Sequence, residues 1–257
     1  MAEQAHPALI VDDLHVKYRA YGGRRRAHGE QRPGWTRPVS RHVGAVDVVH
    51  AVRGVSFVAR HGESIGVIGH NGSGKSTLLR AMAGLVPPSS GSVYADGSPT
   101  LLGVTGALMK DLSGERNIVL GGLALGLTRA EVDERFDDIV DFAGIGDFVQ
   151  LPMKAYSSGM SARLRFAIST AARPDILMID EALATGDADF KRRSRKRIGE
   201  IVSGAGTVFL VSHSMSTVRR ACSRVLWMDK GRLRMDGPAD YVIAAYKEYV
   251  GTSRADR

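Results

Sequence analysis

Apolar and polar residues alternate with a period of two over residues 8–18 and again over 51–60, which predicts two strands, each with one buried face. The stretch between them, YGGRRRAHGEQRPGWTRPVSRHVGAVD, keeps no period and is rich in Arg, Gly and Pro, so residues of about 22–48 are expected as an insertion outside the core. SIGVIG (64–69), DILMID (175–180) and TVFLVSH (207–213) are short apolar runs that read as strands. KSTLLRAMAGL (75–85) has helical spacing and is followed by Pro87-Pro88. The middle of the chain, roughly 104–173, has a helical character. Thr128 and Glu131 make a Thr-x-x-Glu capping box ahead of Val132, Phe136, Ile139, Val140 and Ala143, which share one helix face. A further helix is expected from about Ser158 to Arg173, stopped by Pro174. The layout is therefore α/β, then an all-helical insert, then α/β again.

Composition narrows the setting. Of 257 residues 44% are hydrophobic and 24% charged, the balance of an ordinary globular protein. Cys222 is the single cysteine, which excludes an internal disulfide and a cysteine-based metal site. The longest apolar run, IVLGGLALGL (118–127), is half the length needed to span a bilayer, and the N-terminus lacks a signal-peptide pattern. The chain is expected to be cytosolic, or held at a membrane through something else. Net charge is +8, with eight basic residues against one acid over 17–42 and six basic residues in KRRSRKR (191–197). Such runs are expected as solvated surface, with anionic lipid heads or nucleic acid as the alternative partners.

The chemistry lies at the carboxyl ends of the apolar runs. GHNGSGKST (69–77) matches G-x-x-x-x-G-K-[ST] through Gly69, Gly74, Lys75 and Ser76. With His70, Asn71, Gly72, Ser73 and Thr77 it forms a turn whose backbone N–H groups can face inward around phosphate oxygens. The positive end of the following helix faces the same point. Lys75 is expected at the β/γ-phosphates and the Ser76 hydroxyl on Mg²⁺. A P-loop needs a carboxylate at the end of a buried strand for that ion, and Asp180 fills the place. Glu181, directly after it, is the candidate to polarise the attacking water. His213 follows a third strand and is the candidate to hydrogen-bond the γ-phosphate. If the three strands share one parallel sheet, three distant stretches meet on one edge.

Ser157-Ser158-Gly159 opens a helix, an end that favours anions and also favours serine as a plain cap. YSSGM, placed some 20 residues before Asp180, resembles the signature motif of the ATP-binding cassette (ABC) ATPases. That resemblance implies a P-loop NTPase (RecA-like) core with a small antiparallel β subdomain and an inserted α-helical subdomain. The whole chain would be one nucleotide-binding domain, with 1–103 and 174–257 as the core lobe and 104–173 as the helical subdomain. It implies ATP and Mg²⁺ as ligands, and a second copy of the chain in a head-to-tail ATP sandwich. Ser157, Ser158, Gly159 and Met160 would then complete the ATP site of the opposing copy, with Asp187 at the seam. Tyr18 would stack on adenine, with Tyr21 as its rival.

Two departures sharpen the resemblance. No glutamine lies between Gln31 and Gln150, so the family's Q-loop glutamine is missing, and the segment after Glu181 reads Ala-Leu-Ala-Thr-Gly-Asp. In these features, and in LSGERNI and FAGIGDFVQLPMKAYSSGM, the chain is similar to exporters of lipid-linked O-antigen, teichoic acid or galactan, the actinobacterial galactan exporter above all. The implied partners are a separate transmembrane permease (two copies) and a lipid-linked polysaccharide as cargo. The implied place is the cytoplasmic side of the cell membrane, with no nucleic acid bound. An exporter of drugs, haem or lipid, a soluble ABC ATPase acting on ribosomes or nucleic acid, and a cassette that binds ATP only as a scaffold are the rival readings.

Overall fold

The structure, a computed structural model, describes residues 6–21, 46–102, 108–172, 174–180, 188–212 and 214–255. Strands β1 (Pro7–Tyr21), β2 (Val46–Arg60) and β4 (Ser90–Ala95) form an antiparallel sheet in the order β2-β1-β4. The period-two positions behave as expected: Leu9, Val11, Leu14 and Val16 of β1, and Val52, Val55, Phe57 and Ala59 of β2, are all buried.

A second sheet has the order β5-β6-β7-β3-β8-β9. Its members are β3 (Ser64–Ile68), β5 (Pro99–Leu102), β6 (Ile176–Asp180), β7 (Thr207–Val211), β8 (Arg224–Asp229) and β9 (Arg232–Pro238). The first five in that order are parallel, and β9 runs antiparallel to β8. Both faces are covered, which is why these strands read as unbroken apolar runs. On one face Ile65, Val67, Met178, Phe209, Leu226 and Met228 meet the antiparallel sheet and Leu78, Leu79 and Met82 of α1 (Lys75–Met82). On the other, Ile68, Val225 and Trp227 meet Val218 of α6 (Met215–Ala221) and Val242 and Ile243 of α7 (Ala239–Ala255). Leu177, Ile179 and Val208 meet Ile201 of α5 (Ala188–Gly204). Each fully buried Leu or Ile contributes about 1.5–3 kcal/mol.

The helical part contains α2 (Gly114–Ala124), α3 (Arg129–Ala143) and α4 (Ser158–Ser169). Its own core joins Ile118, Val132, Ile139, Ala143, Leu164 and Ile168. The capping box forms in full: Thr128 Oγ1 accepts from the Glu131 amide, and Glu131 Oε2 accepts from the Thr128 amide at 2.8 Å. That backbone bond holds the Glu131 carboxyl below its ordinary pKa.

Two helices end earlier than the spacing predicts. α1 stops at Met82 because Gly84 turns left-handed (φ 70°) and the Leu85 amide reaches back to the Arg80 carbonyl at 2.8 Å, so the glycine and not the prolines ends it. α4 stops at Ser169, four residues short of Arg173. Thr170 Oγ1 donates to the Phe166 and Ala167 carbonyls, and the Ala171 amide bonds Ile168 in a tightened last turn. No helix among the described residues is long and apolar enough to cross a membrane.

Candidate nucleotide site

β3 brings the chain to the carboxyl edge of the parallel sheet, and α1 starts at Lys75. The loop between them is held by contacts that only glycine permits at two positions. Gly69 (φ 146°) lies so close to the Met228 carbonyl that a Cβ would overlap it, and Gly74 (φ 102°) stands in the same relation to the Ala51 carbonyl. Ser73 is fully buried beneath the loop, and its Oγ has no hydrogen-bond partner among the described residues. The loop is also tied to a neighbouring turn: the Gly231 amide donates to the Ser73 carbonyl at 2.9 Å, and the Arg53 amide to the Gly231 carbonyl at 2.8 Å.

Lys75 is buried, and its Nζ donates to the Gly69 and His70 carbonyls at 2.9 and 3.0 Å. Burial pushes its pKa down, and the nearby Asp180 carboxylate opposes that shift. Asp180 ends β6, which is separated from β3 by β7 alone, so the predicted convergence on one sheet edge is real for Lys75 and Asp180. A cleft of about 630 Å³ opens there. Asn71, Gly72, Gly74, Lys75, Ser76, Thr77 and Asp180 line it, and so does Tyr18 from β1. Tyr18 is 38% exposed.

The sequence reading missed several residues of this wall. His50 and Arg53 come from β2, and Lys230 and Gly231 from the β8–β9 turn. Nothing in their spacing marks them, because they reach the cleft through sheet packing and not through a motif.

Ser157, Ser158, Gly159 and Met160 lie elsewhere. Ser157 caps α4, its Oγ accepting from the Met160 amide at 3.1 Å, and Ser157, Ser158 and Gly159 are exposed. None of the four lines this chain's own cleft. Glu181, Asp187 and His213 lie outside the described residues, as does most of the 22–48 insertion; the side chain of Tyr21 is likewise not described.

The donor set suits a hard divalent cation. Ser76 supplies a hydroxyl and Asp180 a carboxylate on the same cleft, an all-oxygen pair of the kind that holds Mg²⁺ with phosphate and water completing the shell. Among the described residues no group of three or more His, Cys, Asp or Glu could hold a metal without such help.

Residues 52–184 match the ABC transporter family profile, just over half of the chain. The chain belongs to the ABC transporter family. It is 42% identical over 199 residues to the O-antigen export system ATP-binding protein RfbB of Klebsiella pneumoniae, spanning 81% of that protein. To the teichoic acids export ATP-binding protein TagH of Bacillus cereus it is 43% identical over 212 residues, and to RfbB of Myxococcus xanthus 40% over 209. Each of those matches takes in 81% of this chain but only 39% and 48% of the relative, so the cassette spans less than half of their length. Among solved structures, an ATP-binding subunit of an ABC transporter superposes with a TM-score of 0.65 at 22% identity over 93% of each chain. A dimeric ATP-binding cassette in a post-hydrolysis state, bound to ADP and Pi, gives 0.63 at 18% identity over 90% of this chain and 98% of that one. These likenesses establish the α/β P-loop fold with its antiparallel and helical parts. The family assigned from YSSGM and the P-loop is the family found.

Proposed function

We propose that this cassette is the ATP-hydrolysing subunit of an ABC transporter that exports a lipid-linked polysaccharide of the O-antigen, teichoic acid or galactan type. The observation that carries the reading is the 42% identity to the Klebsiella O-antigen export protein across four-fifths of that relative.

In this reading the P-loop amides and Lys75 take the phosphates of ATP, and Tyr18 takes the adenine. Ser76 and Asp180 would hold Mg²⁺, which would supply charge neutralisation to the phosphates. Glu181 orients and polarises the attacking water, and His213 hydrogen-bonds the γ-phosphate. The exposed Ser157–Met160 end of α4 serves the nucleotide of a second copy, with Asp187 at the seam between copies. The whole chain acts as one nucleotide-binding domain, with 104–173 as its helical lobe. Two copies sit against two copies of a transmembrane permease on the cytoplasmic side of the membrane.

The test is recovery of tagged Glu181→Gln protein from solubilised membranes with ATP, followed by mass spectrometry of the chains that come with it. A multi-span permease at equal stoichiometry, identified by its peptides as a polysaccharide exporter, is the expected outcome. A permease for another cargo overturns the polysaccharide assignment. Ribosomal proteins or DNA without a membrane partner overturn the transporter assignment.

A further inference from the structure

Asp13, His15 and His50 form a hydrogen-bonded line that ends in the wall of the nucleotide cleft. Asp13 Oδ1 lies 3.2 Å from Nε2 of His15, and Nδ1 of His15 lies 3.0 Å from Nε2 of His50. The two rings are stacked, with centroids 5.2 Å apart and planes 30° from parallel. His50 lines the cleft beside Lys75 and Tyr18. The carboxylate sets the tautomers. It accepts from His15 Nε2–H, so neutral His15 has only a lone pair at Nδ1, and His50 must donate to it from Nε2.

The backbone that aims this line is irregular where the line begins. β1 slips register against β2 between Val11 and Leu14 and again between Leu14 and His15. Asp13, within that bulge, is one of two non-glycine residues with positive φ among the described residues, at 42°. Its amide is pinned by the Ser56 hydroxyl at 2.8 Å. Bulges re-aim side chains, and a left-handed non-glycine residue is strained unless its surroundings hold it. On β2, Gly54 leaves the room: a Cβ there would come within 3.0 Å of Asp13 Oδ1 and 3.4 Å of His15 Nε2.

We propose that this line makes nucleotide binding take up a proton, so that affinity rises as pH falls through the imidazole range. The inference rests on the nucleotide reading of the cleft given above. Lys17 from β1, Arg53 on its own strand and Arg232 on β9 surround His50, with the His15 ring beside it. Tyr18, Lys75, Lys230 and Asp180 share the cleft with it. Burial first, and then Lys17, His15, Arg53 and Arg232, hold the His50 pKa below its ordinary value. A polyphosphate reverses the charge part of that balance. The complex therefore has the higher pKa, and a higher pKa in the complex means protons bound on association and tighter binding at lower pH. The extra proton goes to His50, which donates from Nε2 to His15 Nδ1, with Asp13 fixing the acceptor tautomer of His15.

The experiment is calorimetry of MgADP binding to the full chain in buffers of different ionisation enthalpy, for wild type, His50→Gln and Asp13→Asn. Wild type is expected to take up more protons than either variant. Between about pH 8 and about pH 6 its affinity should gain on that of His50→Gln by up to about tenfold for each unit by which MgADP raises the His50 pKa. Equal proton uptake in wild type and His50→Gln overturns the inference while leaving the nucleotide site intact. Binding of MgADP that Lys75→Ala does not weaken, or no binding to wild type at all, overturns the nucleotide reading and the inference with it. Should either variant not fold, imidazole proton titrations by NMR on the wild type decide. The His50 pKa rises with MgADP, or the inference fails.

Discussion

Nε2 of His70 lies 3.0 Å from Oδ1 of Asp229, so the second residue of the P-loop is tied to the end of β8 as well as to its own helix. The same carboxylate pairs with Arg234, whose guanidinium lies over the rings of Tyr249 and Trp227, 4.0 and 4.6 Å from their centroids. One partly buried aspartate thus connects the phosphate loop, the sheet and the C-terminal helix. His70 Nδ1 meets the Asn71 carbonyl at 2.7 Å, which fixes the ring from the other side. Asp229→Ala is expected to weaken MgADP binding several-fold and to lower Tm by a few degrees. His70→Ala should do the same less strongly. A double-mutant cycle on MgADP affinity should give a coupling of about 0.5–1 kcal/mol, since neighbours in one hydrogen-bonded network do not add. Strict additivity would show that the pair leaves the loop alone.

Gly74 immediately precedes Lys75, with φ 102° and the Ala51 carbonyl against its Cα. Gly74→Ala must move the loop or the strand below it. The expected result is loss of MgADP binding, with a fall in stability of about 1–3 kcal/mol read by denaturant unfolding. Gly72, also left-handed but with open space around it, has only the backbone cost, so Gly72→Ala should lose about 1 kcal/mol and retain weakened binding.

Ser157 does two separable things in the proposed reading. As the cap of α4, its replacement by Ala should cost about 1 kcal/mol of stability. As the contact to a partner's nucleotide, its replacement by Arg should abolish ATP turnover while each chain still binds ATP at near wild-type affinity, because Ser157 does not line the chain's own cleft. Loss of binding in the isolated chain would place Ser157 in its own site and overturn the sandwich.

Cys222 lies between Gly66 of β3 and the α6–α7 layer, and burial pushes its thiol up to about 11 from 9.0. The folded pKa is the raised one, so the fold favours the neutral thiol. Its stabilisation is complete below about pH 9 and is lost as pH rises through about 9 to 11. Relative to Cys222→Ala, wild type should lose about 2–3 kcal/mol of unfolding free energy over that window. At neutral pH the thiol should react with a disulfide reagent only at the rate of unfolding. Prompt reaction in the native state would contradict the burial.

Much of this architecture was legible in the order of residues. Strands, helices and the phosphate loop follow from short-range rules: a period of two or 3.6, a capping box, and glycines where phosphates need bare amides. Thr128–Glu131 and Gly69–Thr77 carry their signals within a few residues, and both appear in the structure where they were expected. Helix ends were harder to read, because Gly84 and the Thr170 hydroxyl act through backbone geometry that a proline further on does not report.

The rest of the cleft's surroundings was not legible. His70 and Asp229 are 159 residues apart, and His50 and Arg53 sit in a strand whose alternation says only which face is buried. The sequence determined which groups could take a phosphate and which segments would form the sheet. The tertiary structure alone decided which distant cations and carboxylates gather at the cleft, because pairing and crossover in the two sheets bring strand ends together irrespective of their separation along the chain.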